Sequence, residues 1–228
     1  MVAEGGRDAE GTSRAARSEV GGGEAVDSGA AVGQDGTGCA ASTYAFPTLP
    51  DLMRPGMKLV FVGINPSVIS VDQGHYFARK TNRFWPAFSA SRLSEQVRRG
   101  LGIDRLGPEH DVALLEYGIG FTDVVKVPSS NASAVTPAMF REWAPRLRAR
   151  LERCGPRVAC FHGVMGFRPF VRFGLGKREV EVELGAQEVS LGETRLFVVP
   201  NPSPANAHFT PAQQAEWYDR LADYVEKA

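Results

Sequence analysis

Two short apolar runs leave through the same tripeptide. KLVFVG, residues 58–63, continues through Ile64 into Asn65-Pro66-Ser67, and LFVV, residues 196–199, continues through Pro200 into Asn201-Pro202-Ser203. Each run reads as a buried strand, and the Asn-Pro step ends it because proline fixes its own φ and has no N–H for a ladder. In open α/β sheets, ligands bind outside the carboxyl ends of the strands. Both loops are therefore expected to face one cleft.

Other segments fit the same class. RVACFHG (157–163) is a further buried strand followed by Gly and a helical stretch, and EYGIGFTDVVKV (116–127) combines a glycine turn with a short β-like segment. VEVELGAQEVSLGETRLFVVP (180–200) reads as strands punctuated by Gly185 and Gly192. Thr136-Pro137 and Thr210-Pro211 are helix entrances, with threonine as N-cap and proline at the first helical position. The helix after Thr136 carries Met139, Trp143, Leu147 and Leu151 as one buried stripe. Pro145 is expected to kink or restart it, and Arg141, Arg146, Arg148, Arg150 and Arg153 are expected mostly on its solvated face. NRFWPAFSASRL (82–93) is expected to turn helical near Pro86. This alternation predicts a single α/β domain over residues 46–228.

Residues 1–45 are dominated by Gly, Ala, Ser and acids, with almost no large apolar side chain to offset the entropy of ordering, which predicts a disordered tail. The whole chain has 26 residues of each charge; with the tail's seven acids and three arginines set aside, 23 bases face 19 acids, a balance of +4. That permits a polyanionic partner without demanding one. Cys39, Cys154 and Cys160 have no C-x-x-C spacing and make neither a zinc nor an iron–sulfur cage, so no metal and no cofactor is expected. Cys160 reads as core. No apolar run reaches about 18 residues, and the N-terminus lacks the apolar centre of a secretory signal. The expectation is a soluble intracellular protein outside any membrane.

The stretch GINPSVISVDQGHYFARKTNRFW (63–85) is where chemistry gathers. Gly63 allows close backbone approach, Pro66 fixes the turn, and Asn65 offers an amide that can hold a water by donating and accepting hydrogen bonds. Backbone N–H groups after the strand can serve an oxyanion or a carbonyl oxygen. An ordinary Asn-Pro turn would use the same dipeptide.

The longer order of elements is more specific. Gly-Ile-Asn-Pro at 63–66, Gly74, Phe77, Ala78, Asn82-Arg83-Phe84-Trp85, Gly-Phe-Thr-x-x-Val at 120–125 and Asn201-Pro202-Ser203 together resemble the mismatch-specific uracil and thymine DNA glycosylase branch of the uracil-DNA glycosylase superfamily. The resemblance implies a three-layer α/β/α sandwich with a short, mostly parallel central sheet. It also implies a monofunctional DNA repair glycosylase that hydrolyses the N-glycosidic bond of uracil, or of thymine and other damaged pyrimidines, in mismatched DNA, leaving an abasic site. Such an enzyme flips the nucleotide into a pocket, because a stacked base is out of reach. Carried over by position, Asn65 orients the attacking water, the backbone around Ile64 and Ser67 contacts the base, Phe77 stacks on it, and Asn82 belongs to the same base-binding segment. Phe77 would otherwise be a loop anchor in the core. Small side chains at Ser67 and Ser70 leave room for a 5-methyl group.

Asp123 departs from the relatives' pattern. A carboxylate is a better general base than a neutral amide and stabilises positive charge growing on the sugar, so Asp123 is expected to supplement or replace Asn65; a strand-end aspartate bonded to nearby N–H groups is the alternative. The late loop departs too. Where relatives insert a Leu or Arg wedge, this chain has Pro204, Ala205, Asn206 and Ala207, so either His208 or Phe209 fills the vacated stack or intercalation is weak. His75, Lys80, Ser203, Asn206 and His208 are expected against DNA, mainly its phosphates. The partner is double-stranded DNA, with single strands a second form, and a monomer is expected. Two other classes stay open: a lesion-binding module that flips bases without cutting, and an α/β nucleoside- or nucleotide-processing enzyme. The second lacks a G-x-x-x-x-G-K-[ST] or G-x-G-x-x-G loop after the first strand.

Overall fold

The computed structural model describes residues 44–178 and 180–228. The expected tail lies outside them up to residue 43, while Tyr44, assigned to that tail from sequence, packs its ring 5.9 Å from Phe46 and 5.7 Å from Trp143.

The apolar runs form strands β1 (Leu59–Gly63), β2 (Ile119–Asp123), β3 (Val158–His162), β4 (Gly185–Leu191) and β5 (Thr194–Val199). They lie side by side in the order β2-β1-β3-β5-β4, all parallel except β4, which pairs antiparallel with β5. Gly192, at φ 57°, makes the turn between the last two. Strands buried on both faces must be apolar at successive positions, and that is why β1 and β3 lack the polar alternation of a half-exposed sheet.

The side chains of each strand point alternately to two separate cores. Val60, Val62, Ala159, Phe161, Leu196 and Val198 join the one covered by helix α4 (Pro137–Cys154) through Phe140, Trp143, Leu147 and Leu151. Leu59, Phe61, Phe121, Cys160, Phe197 and Val199 join the other, covered by α2 (Phe84–Ala90) and α6 (Pro211–Glu226) through Phe84, Trp85, Phe88, Tyr218 and Leu221. The result is the three-layer α/β/α arrangement, with Cys160 in its core.

Both threonine caps form. Thr136 Oγ1 accepts from Met139 N at 3.3 Å, and Thr210 and Gln213 cap each other reciprocally at 3.2 and 2.9 Å. Pro145 does not restart α4, which runs unbroken to Cys154. Pro145 is on the solvent side, where water can satisfy the carbonyl that the missing N–H leaves unpaired. One arginine of α4 departs from expectation: Arg150 is buried at 3 % exposure and points into the molecule. Among the described residues, no helix is long and apolar enough to cross a membrane.

The chain runs from β1 outward to β2, then returns to the other side of β1 for β3. That reversal is the topological switch point, and the loops leaving the carboxyl ends of these strands diverge there to leave a crevice.

Candidate active site

The crevice collects residues from four strand ends: Asn65 after β1, Asp123 closing β2, His162 closing β3, and Asn201 and Ser203 after β5. Ile64, Ser67, Ser70, Phe77 and Asn82 complete the nearer wall, facing the loop of residues 129–132. The two Asn-Pro-Ser loops therefore meet at one cleft.

Parallel pairing sets Gly63 beside Asp123. A Cβ at Gly63 would overlap the Asp123 carboxyl oxygen, so glycine is needed for the close approach of that carboxylate. Asn65 Nδ2 donates to Ser129 Oγ at 2.8 Å, Val127 O at 3.0 Å and Pro66 O at 3.2 Å. These bonds consume its donors and fix the amide plane, and Asn65 Oδ1, which has no donor among the described residues, is left to accept from a water.

Ser67 and Ser70 knit the loop that they line. Ser67 Oγ caps the short helix α1 (Val68–Gln73) by accepting from Ser70 N at 3.0 Å, and Ser70 Oγ accepts from Ala78 N at 3.3 Å. Phe77 sits at φ 55°, a left-handed conformation costly for a bulky residue and found mainly where surrounding structure enforces it. One face of its ring stacks on Phe84 with centroids 4.4 Å apart, and the ring stands at 73° to His162 with centroids 5.1 Å apart. Phe77 is thus both a core anchor and a cleft wall. Asn82 Oδ1 accepts from Phe84 N at 2.9 Å, holding the start of α2.

The residues expected against phosphate separate. His75 and Lys80 line a neighbouring cavity, bounded also by Trp85 and the 104–109 segment, instead of the cleft itself. His75 Nδ1 lies 3.1 Å from the buried Asp111 carboxylate. Of the late loop, Ser203 reaches the cleft. Asn206 is spent on the loop, donating to Asn201 O at 2.9 Å and accepting from His208 N at 3.2 Å, while His208 is exposed. Arg83 clamps this loop to the entrance of α2 by donating to the carbonyls of Asn206 and Phe209 at 2.9 and 2.7 Å.

Behind Asp123 lies a buried charge cluster. Lys126 Nζ, with its side chain wholly buried, is 3.0 Å from Asp51 Oδ1, 3.1 Å from Tyr76 Oη and 3.5 Å from Asp123 Oδ2. Thr122 donates to Asp51 Oδ1 at 2.6 Å. Arg150 donates to the Asp123 carbonyl at 2.7 Å, and its Nε stands 3.3 Å from Asp51 Oδ2, close enough for charge pairing though not aligned as a hydrogen bond. Burial works against charge on Asp51, yet Lys126, Arg150 and the Thr122 hydroxyl outweigh it and hold its carboxyl below the usual value. Burial pushes Asp123 up to about 6, with Lys126 and Arg150 opposing and Asp51 adding to the rise. A carboxyl tuned this way is ionised near neutrality and still basic enough to take a proton.

His162 is the other buried polar group on the cleft. Burial lowers it to about 3, so it is neutral at physiological pH. Its Nε2 is 3.1 Å from Tyr218 Oη, and Nδ1 has no partner among the described residues. Gln214 donates to Pro200 O at 2.7 Å and stands 3.5 Å from Tyr218 Oη.

Sequence reading missed Asp51, Tyr76, Lys126, Arg150 and His162. His162 was within reach of the strand-exit argument, since it closes an apolar run just before Gly163. For Asp51, 72 residues from Asp123, no local signal exists.

The family model for the Uracil DNA glycosylase superfamily matches residues 50–222. With a sheet and crevice of the kind just described, and that match over most of its length, the chain belongs to the uracil DNA glycosylase superfamily, whose members are hydrolases of the glycosyl bond in DNA. It is similar to the solution NMR structure of a candidate uracil DNA glycosylase from Methanosarcina acetivorans, at 21 % identity over 78 % of this chain and 97 % of that one, with a TM-score of 0.48.

Proposed function

We propose that the protein excises uracil, and also thymine and other damaged pyrimidines because the small Ser67 and Ser70 leave room for a 5-methyl group, from mismatched DNA by flipping the nucleotide into the crevice and hydrolysing its glycosidic bond. The observation that carries this is the placement of Asp123, Asn65 and Phe77 on one cleft. Asn65 Oδ1 accepts one hydrogen of a water and turns its lone pair toward C1′. Asp123 takes a proton as the water oxygen bonds to C1′; the C1′–N1 electron pair leaves with the base, and an abasic sugar remains. The Asp123 charge also stabilises the cationic sugar as the bond breaks. The free face of Phe77 stacks on the base, the Ile64–Ser67 backbone and Asn82 contact its edge, and Ser203 meets the neighbouring phosphate. His75, Lys80, Asn206 and His208 stand further out along the DNA. The protein acts as a monofunctional monomer on duplex DNA, and on single strands where the base is already unstacked.

The test is single-turnover excision from oligonucleotides carrying uracil or thymine opposite each base. Asp123→Asn is expected to slow the step by about 10²- to 10⁴-fold, the usual range for a general base. In the unaltered protein the rate should fall as pH drops through about 6, because protonated Asp123 accepts no further proton; that acid limb should vanish in the variant. Full activity in Asp123→Asn would reassign the water to Asn65 alone. Absence of abasic product on every substrate would leave a lesion-binding module.

A further inference from the structure

Lys126 contributes nothing to the surface and lines no cleft, yet it is buried completely in a place where apolar side chains would pack at lower cost. Its surroundings are asymmetric. Asp51 is held on both oxygens, by Lys126 and Thr122 on one and by Arg150 on the other. Asp123 has Lys126 at 3.5 Å from Oδ2, while Oδ1 lies beside Gly63 on the cleft and accepts no hydrogen bond from the described residues. Lys126 is three residues after Asp123 on the strand-exit segment and is steered between the two carboxylates by the Tyr76 hydroxyl, which itself donates to Pro50 O at 2.9 Å.

We propose that Lys126 is a positioning residue for base excision: its ammonium, anchored by Asp51 and Tyr76, holds one oxygen of Asp123 so that the other faces the water, and balances Asp51 in setting the pH at which Asp123 ionises. This rests on the reading of Asp123 as the base. The charged and titratable groups that act on Asp123 come from four segments around it. They are Lys126 on its own segment, Asp51 from the stretch before β1, Arg150 from α4, and Tyr76 from the loop before α2. Lys126 favours the charged carboxylate and Asp51 disfavours it. Neutralising the two therefore has opposite effects, a pattern that a purely structural role for either does not produce.

The experiment titrates the Asp123 carboxyl by carbon-13 NMR, assigned by loss of its signal in Asp123→Asn, alongside the pH profile of single-turnover uracil excision. Lys126→Met is expected to move the titration upward by about one unit or more, Lys126→Arg to leave it near its starting point, and Asp51→Asn to move it downward. The rate profile should follow in each case. Where Lys126→Met fails to fold, Asp51→Asn/Lys126→Met removes one charge of each sign and keeps the cluster neutral; its titration is then compared with Asp51→Asn alone and is expected higher. A titration unmoved by removing Lys126, or moved the same way by both single changes, overturns the proposal. A titration that shifts as expected while the rate profile stays fixed instead overturns Asp123 as the base, and with it the catalytic part of Lys126's role.

Discussion

Gly63 and Asp123 face each other across the β1–β2 pair with no room for a methyl group between them. Gly63→Ala is therefore expected to push the carboxylate off its position. Overpacking a buried site costs about 1–3 kcal/mol of stability. Excision should fall by a larger factor than thermal stability alone accounts for, and denaturant unfolding beside single-turnover rates checks this. His162 sets the sign of a second effect. Its folded value, about 3, lies below the ordinary value of 6.5, so the unfolded chain binds the proton that the folded one refuses. Its contribution to stability is present above pH 6.5 and is lost as pH falls toward 3. His162→Phe should flatten the fall of Tm over that window, measured by thermal scans at successive pH values. Neither the glycine's partner nor the histidine's burial is written in the residues themselves. An Asn-Pro turn and a strand-end histidine look the same on a solvated loop, and only packing from Phe61, Phe77 and Tyr218 around His162 makes it a neutral group.

At the scale of elements, the entrances to α4 and α6 were legible because capping is local: Thr136 and Thr210 bond to N–H groups three residues away. The late loop was legible only as a departure from a pattern. What holds it is Arg83, over 120 residues earlier in the chain, bonded to two of its carbonyls. Arg83→Ala is expected to loosen residues 203–209 and to weaken duplex binding, while the two cores stay folded. Amide exchange should show faster opening confined to that loop, by about 1–3 kcal/mol for two lost bonds from a charged donor. Pro145 teaches the converse. Its cost depends on which side of α4 it occupies, and a position exposed to water tolerates the missing N–H.

For the whole molecule, the described domain joins a two-faced apolar sheet to a crevice with cations near its rim, including Arg79, and Lys80 in the adjoining cavity. Binding to duplex oligonucleotides should weaken with salt, log K falling linearly with log salt concentration as counterions are released from the phosphates. Fluorescence anisotropy over a salt series checks it, and affinity independent of salt would count against phosphate contact. The α/β class, the helix entrances and the meeting of two Asn-Pro-Ser exits at one cleft are legible in the residues, since each rests on local pattern or on the rule that strand ends gather loops. Tertiary structure alone decided which charges are buried. Asp51, the Asp123–Lys126 segment and Arg150 lie far apart in the chain, and a charge's cost and its proton affinity depend on all the groups brought within a few ångströms of it, most of which adjacency in sequence does not reveal.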